Sequence, residues 1–167
     1  MANITFKGSP VNTIGDLPKI GSKAPEFTLT KTDLSSVSLK DFLGKKVILN
    51  IFPSIDTGIC AMSVRQFNAK LNDLPNTVVL CISKDLPFAQ KRFCGAEGLD
   101  KVIPLSDYKT GKFSELYGVK MINGALEALM ARSVVVLDEN GVVKYTELVP
   151  EVAQEPNYEA AIKAVKD

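Results

Sequence analysis

Hydrophobic positions along this chain fall into strand-length runs and helical stripes, and the change of rhythm marks where the core begins. Over the first forty residues the apolar stretches are brief, Ile4 to Phe6 and Phe27 to Leu29, with Gly and Pro between them. This pattern predicts β ribbon and loop, an appendage or cover over the remainder. From Lys45 a different order sets in. The run Val47-Ile48-Leu49-Asn50-Ile51-Phe52 stops at Pro53, as a buried strand would. Val64, Phe67, Leu71 and Leu74 then recur at three- and four-residue intervals, which predicts a helix from about Cys60 to Leu74, ended by Pro75.

The alternation continues. Thr77 to Ile82 is a second β-branched run, and a helical segment follows from near Pro87, where proline suits a first turn, with Gly95 and Gly98 closing it. A strand at Val102 to Leu105 and a helix from about Gly111 to Tyr117 come next. Ser133 to Leu137 and Val142 to Glu147 are joined by Asp138-Glu139-Asn140-Gly141, whose Asn-Gly pair signals a hairpin, and a last helix runs from Asn157 to Val165. Such an order implies an α/β fold: a sheet with helices on both faces, made mixed by the closing hairpin. The layout resembles the thioredoxin fold with extensions. No internal repeat, low-complexity tract or linker interrupts residues 1–167, which predicts a single domain.

Composition narrows the function. With 46% hydrophobic and 23% charged residues the chain has what a well-cored fold needs. Twenty basic against nineteen acidic residues leave a net charge of +1, so no global attraction to nucleic acid or to a membrane surface is expected. Met1 to Pro10 holds one lysine and no apolar stretch of secretion-signal length, which points to a cytoplasmic protein. In that reducing setting cysteines are more often redox-active than structural. There is no histidine, and the three cysteines stand 21 and 13 positions apart (81 − 60 and 94 − 81), unlike zinc ligands. Gly21, Gly44 and Gly95 are too scattered for a phosphate loop, so neither metal nor cofactor is expected.

The segment Pro53-Ser54-Ile55-Asp56-Thr57-Gly58-Ile59-Cys60 lies between the first core strand and the first core helix. It puts a cysteine at a helix N-terminus, where free backbone N–H groups and the helix dipole favour a thiolate. Ionisation alone accelerates little. Moving a thiol from about 8.5 to about 6 raises its thiolate fraction on the order of tenfold at neutral pH, and a Brønsted slope of about 0.4–0.5 removes most of that gain. Other groups must hold and polarise the electrophile. Thr57, three residues before Cys60, can turn its hydroxyl toward the same pocket, or cap the helix, or do both. Arg132 stands at the start of the strand Ser133 to Leu137 in an otherwise small or apolar stretch, and strand ends of one sheet converge, so it can reach Cys60 across 72 positions. On the other side stands the ordinary pairing of an arginine with a surface carboxylate. Pro53 shapes the loop, while Ser54 and Asp56 read as solvated. Cys81, inside an apolar run, is most simply a core residue. Cys94, before Gly95 near a helix end, admits either packing or a redox role.

Pro53, Thr57 and Cys60 reproduce the Pro-x-x-x-Thr-x-x-Cys signature of the peroxiredoxins, and Arg132 matches that family's distant arginine. The text Ser-Ile-Asp-Thr-Gly-Ile-Cys-Ala-Met-Ser-Val-Arg-Gln-Phe-Asn and the ending Asn157-Tyr158-Glu159-Ala160-Ala161 resemble the thiol peroxidase branch, over essentially the whole chain. Gly58 stands where many relatives carry proline, which bears on loop stiffness. The resemblance implies an N-terminal β-hairpin and a Cys60 thiolate that attacks a hydroperoxide, becoming a sulfenic acid. It further implies an intrasubunit disulfide with Cys94 as resolving cysteine, thioredoxin as reductant, a homodimer, and alkyl as well as hydrogen peroxide as substrates. Pro53, Thr57 and Arg132 would contact the substrate. Since bonded cysteines need Cα atoms within about 7 Å, the start of the Cys60 helix or the segment around Cys94 is expected to unwind.

Two other functions suit the same fold. A dithiol–disulfide oxidoreductase is disfavoured because Cys-x-x-Cys is missing and Cys94 lies 34 positions from Cys60 (94 − 60). A non-catalytic redox sensor would be separated from an enzyme by multi-turnover peroxide consumption.

Overall fold

A computed structural model describes residues 1–167. The chain opens with an antiparallel hairpin of β1 (Asn3–Phe6) and β2 (Ser9–Asn12), turned by Lys7 and Gly8 at φ 50° and 82°. Two positive φ values give a two-residue turn whose twist matches that of the strands. Then follow β3 (Thr28–Thr30), β4 (Ser36–Ser38), β5 (Lys46–Ile51), α1 (Gly58–Lys70), β6 (Thr77–Ser83), α2 (Pro87–Glu97) and β7 (Ile103–Ser106). Last come α3 (Lys112–Leu116), β8 (Ser133–Leu137), β9 (Val143–Leu148) and α4 (Tyr158–Lys166). Seven strands make one mixed sheet in the order β4-β3-β7-β6-β5-β8-β9, with β5, β6 and β7 parallel to one another. This is the thioredoxin-like arrangement, a mixed sheet flanked by helices, with the small hairpin in front.

The period of two along β5 divides the core. Val47, Leu49 and Ile51 face one side, with Leu80, Ile82, Phe113 and Tyr117, under α3 and the segment around Phe27. Ile48 and Phe52 face the other, with Val79, Val134, Val64 and Phe67, under α1 and α4. Asn50 shares that second side and is fully buried, its amide donating to Ser63 Oγ on α1 at 3.2 Å.

Three expectations need correction. The segment before Lys45 is more than a cover: β3 and β4 belong to the main sheet, Thr30 pairing with Ser106 of β7, because an open edge of unpaired N–H and C=O groups is satisfied by adding strands. The first core helix starts at Gly58, two residues earlier than the apolar stripe suggests, because Thr57 caps it, and it ends at Lys70 with a 3-10 turn over Leu71–Asp73. Gly95 is an interior residue of α2. Only Gly98, left-handed at φ 66°, ends that helix.

Candidate active site

Cys60 is positioned by a strand end and a capped helix. β5 runs into Phe52 and Pro53, the loop turns through Thr57 N–H donating to the Ser54 carbonyl at 3.2 Å, and α1 begins. Thr57 is the N-cap: its hydroxyl accepts from Cys60 N–H at 3.4 Å and donates to the Ser54 carbonyl at 3.1 Å. The hydroxyl is thus engaged by backbone, while the residue also lines the pocket described below. One turn further on, Ser63 Oγ donates to the Cys60 carbonyl at 2.7 Å.

Strand pairing brings Arg132 to the same place. β8 runs antiparallel to β5 with Ser133 opposite Ile51, so the residue before β8 meets the loop after β5. Arg132 is 2% exposed. Its Nη2 donates to Cys60 Sγ at 3.2 Å and its Nε to the Val152 carbonyl at 2.8 Å, while Nη1 is buried without a partner. None of the molecule's ion pairs involves it. A buried guanidinium without a carboxylate is costly to leave unpaired, and the side-chain acceptor Arg132 finds is Cys60 Sγ.

Beside this pair lies a pocket of about 310 Å³. Pro53, Thr57 and Arg132 line it with Phe6 and Lys7 from the hairpin, and Ile59, Leu126, Val152 and Ala153 make the remaining apolar wall. The hairpin is fastened there by Glu151. Its carboxylate accepts from Thr5 Oγ1 (3.0 Å), Gly8 N–H (2.9 Å) and Ala153 N–H (2.7 Å), and those bonds, Ala153 first, hold it at about 2, well below the usual carboxylate range. Val152, whose carbonyl receives Arg132, donates its own N–H to the Thr5 carbonyl at 2.8 Å. Burial, followed by a hydrogen bond to Glu155, keeps the Tyr158 hydroxyl protonated above its ordinary range, and Arg132 is near enough to act the other way.

The cysteines differ in setting. None of the three is in a disulfide: Cys60 and Cys81 are buried, and Cys94, in the last turns of α2, is half-buried. Burial pushes the Cys94 thiol up to about 11. Burial raises Cys81 further, and Cys94 is close enough to add to that rise. Pro53, Thr57 and Arg132 therefore share one pocket and the fully buried Cys60 is bonded to two of them, Thr57 and Arg132, whereas Cys94 makes no bond to Cys60 in this conformation.

Ser54 is not a solvated loop residue. Its hydroxyl donates to Asp85 Oδ1 at 2.7 Å, and the neighbouring Ile55 N–H donates to Asp85 Oδ2 at 2.6 Å, because the end of β6 lies beside the end of β5. Asp56 is exposed and faces Arg92 of α2 at 3.7 Å. Asp85 and Glu151 escape sequence reasoning: each is one of nineteen acidic residues, and nothing local marks it as a hydrogen-bond hub. A faint signal exists for Asp85, which closes a Ser-x-Asp between an apolar run and Pro87.

The combination of a cysteine at a capped helix start, a buried arginine on its sulfur and this sheet defines a thiol-dependent oxidoreductase class. The Redoxin family matches residues 19–162. A thiol peroxidase of Mycobacterium tuberculosis is 55% identical over 165 residues, 99% of each chain. Among solved structures, a peroxiredoxin-like protein from Aquifex aeolicus superposes with a TM-score of 0.93 at 34% identity, over 99% of this chain and 96% of that one. A thiol peroxidase from Chromobacterium violaceum, at 21% identity and a TM-score of 0.91 over 99% and 96%, shares the fold. The chain belongs to the Redoxin family and, within it, to the thiol peroxidase branch of the peroxiredoxins. It is accordingly an enzyme of thiol-dependent peroxidase type.

Proposed function

We propose that residues 1–167 act as one domain that reduces hydrogen peroxide and alkyl hydroperoxides with Cys60, and that Cys94 resolves the product. The observation that carries this reading is the Nη2 of a buried, carboxylate-free Arg132 at 3.2 Å from Cys60 Sγ, with Nη1 unpartnered. The thiolate balances the guanidinium and attacks the terminal oxygen of a hydroperoxide in the pocket. An S–O bond forms, the O–O bond breaks, and the departing oxygen takes a proton to leave as water or an alcohol. Nη1 is free to donate to the oxygen on which charge develops, a preorganised donor in a site shielded from bulk water. The apolar wall of Phe6, Ile59, Leu126 and Val152 suits the organic part of an alkyl hydroperoxide.

Cys60 sulfenic acid then condenses with the Cys94 thiol, releasing water and leaving an intrasubunit disulfide that thioredoxin reduces. Since Cys60 is capped within α1 and Cys94 lies in α2, this step needs the start of α1 or the end of α2 to unwind. No helix of the molecule is long and apolar enough to cross a membrane, and we place the enzyme in the cytoplasm, acting as a homodimer.

The test is peptide mapping after one equivalent of hydroperoxide. A dominant Cys60–Cys94 link within one chain is expected. A dominant link from Cys60 to Cys81, or between chains, would refute the role given to Cys94.

A further inference from the structure

Asp85 sits where β6 gives way to α2, and its carboxylate bonds directly to the loop that leads to Cys60 and, through the Ser83 hydroxyl, indirectly to the helix that carries Cys94. On one side it accepts from Ser54 Oγ at 2.7 Å and from Ile55 N–H at 2.6 Å, two consecutive residues of the loop that leads to Cys60. On the other it accepts from Ser83 Oγ at 2.6 Å, and that hydroxyl accepts from Gln90 Nε2 at 3.2 Å. Gln90 lies in α2, 2% exposed, and also donates to the Leu105 carbonyl at 2.9 Å. It precedes Cys94 by four residues, so the two share a helix face one turn apart. The backbone carbonyl of Asp85 is held as well, by Ser106 Oγ of β7.

We infer that Asp85 is a positioning residue, a latch holding the Cys60 loop and the Cys94 helix in the folded arrangement in which Cys60 meets Arg132. Three donors converge on two oxygens of one partly buried carboxylate, and bonds to a charged acceptor are the stronger kind. The exposed pair Asp56–Arg92 links the same two parts but is worth little in water. The latch acts oppositely on successive steps. Closed, it favours attack on peroxide by keeping Cys60 against the guanidinium. Open, it favours condensation of the sulfenic acid with Cys94, with loss of water. While it stays closed, the sulfenic acid is exposed to a second hydroperoxide, which transfers one oxygen to give a sulfinic acid and an alcohol or water.

This inference rests on the proposed Cys60–Cys94 chemistry, so the experiment separates the two. Asp85→Asn keeps size and one acceptor oxygen but turns the other into a donor. Ser54→Ala removes only the loop side. For Asp85→Asn we expect Ile55 amide exchange in the reduced protein to rise about tenfold or more, the loss expected for a bond to a charged acceptor. Peroxide attack on Cys60 should slow, and the ratio of disulfide to sulfinic acid at a fixed excess of hydrogen peroxide should increase severalfold. Ser54→Ala should move all three the same way by less. A lowered melting temperature with an unchanged product ratio and unchanged Ile55 exchange would overturn the latch. If the wild-type protein forms no Cys60–Cys94 disulfide, the resolving reading fails instead. Ile55 exchange and the peroxide rate then still decide the role of Asp85.

Discussion

At the scale of single residues, the chemistry depends on which charges are buried and what faces them. Arg132 is buried with one nitrogen on sulfur, one on a carbonyl and one free, a costly arrangement that an anionic partner and an oxygen-bearing substrate would complete. Cys94 is the opposite case, a thiol that burial keeps neutral up to about 11. Neutrality suits an attacker only once it has been released, because the thiolate is the nucleophile. In a Cys60→Ser, Cys81→Ser background, iodoacetamide should alkylate Cys94 slowly at pH 8, with the rate climbing toward about pH 11. In denaturant the climb should occur near the ordinary cysteine value. A folded-state value raised above the unfolded one contributes stability that is full below about pH 9 and is lost as pH rises toward about 11. A native alkylation profile identical to the denatured one would contradict the burial of Cys94. Local spacing made Cys60, Thr57 and Pro53 legible in the sequence, since a cap and a helix start are set within a few residues. Asp85 and Glu151 were not legible, because what distinguishes each is two donors arriving from a distant segment beside one local donor.

At the scale of elements, the runs of apolar residues placed β5, β6, β8 and the hairpin of β8 and β9 within a residue or so, because a buried strand is nearly continuous in sequence. β3 and β4, three residues each, carry too short a pattern to disclose their place at the sheet edge. Element ends were decided by backbone chemistry. Gly98 closes α2 and Gly118 follows α3, at φ 66° and 69°. They differ in surroundings. A methyl group on Gly98 would meet nothing within 4 Å, whereas one on Gly118 would lie 2.3 Å from the Asp16 carbonyl oxygen. Gly98→Ala should therefore cost only the left-handed penalty, about 1–2 kcal/mol, or roughly 2–8 °C in a chain of this size. Gly118→Ala adds a backbone clash to the same penalty and should lower the melting temperature at least about twice as far. Equal shifts for the two variants, read by calorimetry, would show that the approach of the 13–16 segment to Gly118 is not tight.

At the scale of the whole molecule, one end of the sheet collects the groups assigned to the attack on peroxide. The ends of β5 and β6 and the start of β8 supply the Cys60 loop, Asp85 and Arg132, and the N-terminal hairpin, pinned by Glu151, supplies Phe6. That convergence is the usual place for a site in an open α/β sheet. The distant Arg132 was anticipated because antiparallel neighbours bring a strand's start beside another's end. The role of the hairpin was not, because its docking passes through side-chain bonds that no periodicity records. Cys60, held against Arg132, is proposed to break an O–O bond, and the rate of that event is the most direct test. The chain has no tryptophan, so rapid-quench mass spectrometry of the Cys60 peptide is the appropriate probe. Reduced wild-type protein should be oxidised at Cys60 by hydrogen peroxide and by an alkyl hydroperoxide. Arg132→Ala, which removes a charge-assisted bond, should slow this by about ten- to a hundredfold, and Cys60→Ser should not turn over. Peroxide consumption surviving in Cys60→Ser, or an Arg132→Ala rate equal to wild type, would contradict the account.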